Sequence, residues 1–70
     1  MPIDAAAAMA RARQNFKYLE EAMDDAHLMR LKNGACGYNR SLLIAGLISQ
    51  EQLNELNAEL EKACDARTFP

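Results

Sequence analysis

Between residues 5 and 32 the chain contains neither glycine nor proline and consists mostly of strong helix formers. Asp4 stands before this stretch as an N-cap, its carboxylate placed to accept from the first free backbone amides. Within the stretch Met9, Ala12, Phe16, Leu19, Met23 and Ala26 recur at alternating spacings of three and four. That spacing puts them in one stripe along a helix, the seam at which a second helix packs. Arg30, the next position of the series, ends the stripe. Tyr18, Leu28, Met29 and Leu31 lie partly off it and widen the apolar face. The pattern predicts one long N-terminal helix over about residues 5–32.

Asn33-Gly34 reads as its stop, with Arg30 and Lys32 in the last turn facing the negative end of the helix dipole. Two glycines within Gly34-Ala35-Cys36-Gly37 predict a loop over 33–38. A short middle helix follows over about 39–45 and Gly46 ends it. The strongest local signal comes next. Ser49 and Gln52 have the spacing of a capping box, and Ile48 and Leu53 have that of a hydrophobic staple. Glu51 adds negative charge to the first turn. A C-terminal helix over about 50–66 is expected, then a tail over 67–70. Its Leu53, Leu56, Leu60 and Ala63 repeat the three-and-four spacing, opposite Glu51, Glu55, Glu59 and Lys62. The fold class is therefore all-α: a helical hairpin with Leu42, Leu43, Leu47 and Ile48 closing one end. The expected third helix is shorter than the first, so a second copy would cover the remainder in a homodimeric bundle.

The segment from Leu43 to Leu53, LIAGLISQEQL, resembles the "GLI-[ST]-x-E-x-L" stretch of SHOCT domains. It is also similar to the N-terminal regulatory domains of secretion ATPases that bind cyclic dinucleotides. The shared positions are caps and apolar staples. The fuller ATPase pattern begins with Arg-Leu-Gly, and Gly37-Tyr38-Asn39 stands at that place here, so no nucleotide site is carried over. What the likeness implies is a common helix–turn–helix joint.

At 70 residues the chain is one domain at most, near the lower size at which a core holds without disulfides or metal. Association relieves that shortage. The net charge is −2, with the acidic excess in the second half, which argues against direct nucleic-acid binding. No run of about 20 apolar residues exists to span a membrane, and the first residues do not have the form of a signal peptide. A cytoplasmic location is expected, and with it Cys36 and Cys64 as two free thiols.

Catalysis needs converging groups in a cleft. The sequence offers a single histidine, His27, and no phosphate loop or nucleophile elbow. His27, Cys36 and Cys64 lack the paired spacings of a zinc site. Neither an enzyme nor a cofactor or metal is expected. Two stretches remain for recognition. Glu20, Glu21, Asp24 and Asp25 crowd four carboxylates into one exposed patch that would suit a basic surface. Tyr38 and Arg40 are residue types enriched at interface hot spots. The expectation is a small non-enzymatic regulator or inhibitor that occludes a surface of a larger protein. It has the outline of phage or mobile-element accessory proteins, such as inhibitors of host defence. A secretion co-chaperone or assembly subunit is the alternative. A helix–turn–helix nucleic-acid binder ranks below both, because the helix after Gly46 is acidic.

Overall fold

The computed structural model describes residues 4–67 and 69. Among these, three helices form and there is no strand. Helix α1 (Ala5–Phe16) tightens into a 3₁₀ turn (Lys17–Glu21). Helix α2 (Asp25–Ile44) and helix α3 (Gln50–Asp65) follow.

The expected long first helix is interrupted. Ala22 is extended, at φ −60° and ψ 134°, and the chain resumes helical geometry only at Asp25. Asp24 is the new N-cap: its carboxylate accepts from the His27 backbone amide at 2.7 Å. The His27 imidazole accepts in turn, through Nδ1, from the Met23 amide at 3.1 Å. Together these satisfy two amides left free at the break. Continuing the helix would have stacked Glu20 on Asp24 and Glu21 on Asp25, two like-charge pairs one turn apart. The break avoids both and lets α2 fold back along α1.

The expected loop over 33–38 is instead the interior of α2, and the expected short middle helix is its last two turns. Leu28, Ala35, Asn39 and Leu42 are buried along one side of this 20-residue helix. Gly34 and Gly37 fall on its exposed surface. Packing on the buried side outweighs the roughly 1 kcal/mol that each glycine costs a helix interior. The middle helix is thus the longest of the three, and α1, at 12 residues, is the shortest.

Gly46 does end the helix, at φ +77°. The Leu47 amide donates to Leu42 carbonyl oxygen at 2.9 Å and the Gly46 amide to that of Leu43 at 3.0 Å. This pair of bonds closes a helix end when its next residue is left-handed, as glycine allows. The capping box is also present. The Gln52 amide donates to Ser49 Oγ at 3.1 Å, and the Ser49 amide donates to Gln52 Oε1 at 2.8 Å.

The helices lie side by side, with α2 antiparallel to both others. Two clusters make the core. One joins Met9 and Ala12 of α1 to Leu42, Ile48, Leu53 and Leu56. The other joins Leu19 and Ala22 to Leu28, Ala35 and Leu60. Half-buried Phe16 packs against both. Of the expected seam, Met9, Ala12, Leu19, Leu53, Leu56 and Leu60 are buried. Met23 is not: it sits in the break and is 82% exposed. Ala26, on the outer side of α2, is exposed as well.

Polar contacts tie the helices across these clusters. Arg13 donates to both carboxylate oxygens of Glu59 at 3.0 Å and lies 3.6 Å from Glu55. Its hydrogen bond to Glu59 raises the guanidinium pKa above the ordinary value. Lys32 pairs with Glu61, which raises the ammonium pKa in the same way. Asn39, fully buried, donates to Asn57 at 3.2 Å.

Candidate recognition surfaces

Tyr38 and Arg40, expected to act together, sit on different sides of α2. Two residues apart on a helix they diverge by about 200° at 3.6 residues per turn. Each belongs to a separate surface.

Arg40 belongs to the outer stripe of α2. Met29, Asn33, Cys36, Gly37, Arg40 and Ile44 follow one another at helical spacing, and all are exposed. Met29 is 54% exposed and Ile44 78%, so the stripe carries a large apolar side chain at each end. Between them lie small residues and one guanidinium. After Asp25 no carboxylate occurs in α2, so the stripe is apolar and basic. A Cβ added at Gly37 would meet nothing within 4 Å, which leaves its backbone open to close approach. Cys36 is a free thiol on this stripe. Cys64, also free, is half-buried against the second core cluster.

Tyr38 belongs to a groove between α1 and α2. Asn15 and Tyr18 form one wall, Arg30, Gly34 and Tyr38 the other, with Leu31 and Ala35 between. The groove encloses about 310 Å³. Its lining includes a cation and two phenols and no carboxylate. Arg11 lies one turn before Asn15 on the same side of α1. Sequence reasoning passes over Asn15, Tyr18 and Arg30 as site residues, since only the antiparallel return of α2 brings them to Tyr38.

The four carboxylates of the acidic stretch are all exposed but do different things. Glu20 and Glu21 belong to the 3₁₀ turn and Asp25 to the first turn of α2. Asp24 is engaged as the N-cap. Met23 projects between them. The break is held from a third direction by Arg67, whose Nη2 donates to the Ala22 carbonyl at 2.6 Å. The Phe69 ring lies under that guanidinium, 4.8 Å from centroid to Cζ, and packs against the second cluster. Of the expected tail, Thr68 and Pro70 lie outside the described residues.

His27, the one histidine, is occupied in capping the break. Among the described residues no three His, Cys, Asp or Glu side chains gather into a metal-binding group. No helix among them is long and apolar enough to cross a membrane. Compared with known proteins, the chain matches no family model, no curated protein and no solved structure. Its function is therefore read from its own surfaces.

Proposed function

We propose that the protein is a non-enzymatic binding module, a regulator or inhibitor that covers a surface of a larger protein with the outer face of α2. The observation that carries this reading is the exposed stripe from Met29 to Ile44. It runs about 22 Å at 1.5 Å per residue, with large apolar ends, a small middle and a cation. A helix laid in a groove is recognised by anchors at such spacings. Met is adaptable in packing, and Arg is enriched at interface hot spots. Because α2 bears no carboxylate after its first residue, the matching surface is an apolar trough with an acidic rim. The helix is preformed and braced by α1 and α3, so binding costs little ordering. Function then consists of occlusion: what α2 covers, nothing else can reach.

The test is affinity capture by the wild type beside Met29→Glu and Ile44→Glu, each checked for helix content by circular dichroism. Both side chains are exposed, so the fold should survive. A protein retained by the wild type and lost from both variants is the expected outcome. Identical captures from all three would refute the assignment of this face.

A further inference from the structure

We propose that this chain pairs with a second copy of itself, the Met23 segment of each copy entering the groove between α1 and α2 of the other. Two surfaces of opposite character make the case. The segment around the break carries Glu20, Glu21 and Asp25, and between them the most exposed large apolar side chain described, Met23. The groove carries Arg30, around Tyr18, Tyr38 and the bare backbone of Gly34, and exposed Arg11 lies one turn before its wall residue Asn15. Among the described residues the ion pairs are those of Arg13 with Glu55 and Glu59 and of Lys32 with Glu61. None engages Glu20, Glu21, Asp25 or the groove's Arg30, so both sides are left to seek a partner.

The fit is chemical as well as electrostatic. An unbranched thioether fills an irregular apolar slot and gains from contact with aromatic rings. Tyr18 and Tyr38 flank such a slot, and Gly34 contributes no side chain to its lining. A flanking carboxylate would then meet Arg30, whose guanidinium can donate to both of its oxygens at once.

A second copy is favoured over an unrelated acidic peptide because the required occupant is already built, and rigid, on this chain. Three hydrogen bonds hold the segment: Met23 to His27, His27 to Asp24, and Arg67 to Ala22. Its shape is fixed before contact, which lowers the ordering cost. Segment and groove also adjoin, since Tyr18 precedes Glu20 by two residues and Arg30 follows Asp25 by five. A two-fold axis beside them makes each copy give and receive the same contact, as isologous dimers require. The pairing is argued from Met23, Arg30 and their neighbours and not from Met29 or Ile44, so it does not rest on the partner-binding reading.

Sedimentation equilibrium of the full chain tests it. The wild type should sediment at twice 7.8 kDa, with a dissociation constant that weakens as salt screens the charges. Met23→Glu and Arg30→Glu should each weaken pairing at least tenfold while helix content is kept. Adding Glu21→Arg to Arg30→Glu swaps the charges within one chain and should restore the dimer. Ile44→Glu, on the outer stripe, should leave it intact. A monomeric wild type at high micromolar concentration would overturn the proposal. So would a dimer indifferent to Met23→Glu and Arg30→Glu, or a charge swap that fails to rescue.

Discussion

Replacing Gly34 and Gly37 together with alanine is expected to stabilise the protein, by an amount that follows from where the two residues sit. Both lie in the interior of α2 with ordinary negative φ, since the left-handed glycine is Gly46. A Cβ at either would meet nothing within 4 Å. The change therefore brings no clash and removes the helix penalty of glycine, about 0.8–1.0 kcal/mol each. Much of that gain comes through the unfolded chain, which has fewer states to lose. The pair should contribute about 1.5–2 kcal/mol. For a domain of this size 1 kcal/mol moves the melting temperature by about 4–8 °C, so the double variant should melt about 6–16 °C higher. Thermal unfolding followed by far-ultraviolet circular dichroism measures this directly. A melting point unchanged or lowered would mean that residues 33–38 are not an exposed helical surface, and the continuity of α2 would fall with it.

Three further outcomes are expected. Gly46→Ala should lower stability by about 1–2 kcal/mol, because its left-handed φ strains any side chain; chemical denaturation with an unchanged slope would check it. Leu56→Ala, at a position with no exposed surface, should cost about 2–5 kcal/mol, and a smaller loss would place the seam elsewhere. Asn39→Leu should raise stability by about 1 kcal/mol. Among the described residues the buried Asn39 Oδ1 has no partner, and relieving an unsatisfied acceptor, worth about 1–3 kcal/mol, exceeds the roughly 1 kcal/mol lost with the bond to Asn57. A lower midpoint in urea would show that the buried amide is better satisfied than its geometry indicates.

What could be read from the sequence was what local chemistry decides. Ser49 and Gln52 cap α3 through contacts three residues apart, and Gly46 stops α2 by its own backbone freedom, so both were visible. The break at residues 22–24 was not. Met23 and Ala26 continue the apolar stripe, and the residues around them favour helix. The outcome was set by contacts distant in sequence, with Leu28 and Ala35 reaching Leu60 only if the chain doubles back. The trace it leaves is Asp24 with His27 three residues on, an end-of-helix pairing hidden among four carboxylates. Gly34 and Gly37 misled in the opposite sense, because a glycine pair signals a loop unless the other side of the segment is buried. The groove was less legible still. Its walls come from two helices whose adjacency depends on that same reversal, whereas the acidic stretch could be listed from sequence but not divided into capping and free carboxylates.

The Phe16 ring, set between the two core clusters, has a mechanical consequence. Among the described residues it is the one partly buried hydrophobic side chain packed on both, so it helps transmit loosening at one end of the molecule to the other. All-or-none melting in small domains requires that kind of coupling. Trimmed to alanine, the ring would leave the clusters joined through α2 and α3, which run through both, so unfolding should stay a single step but lose sharpness.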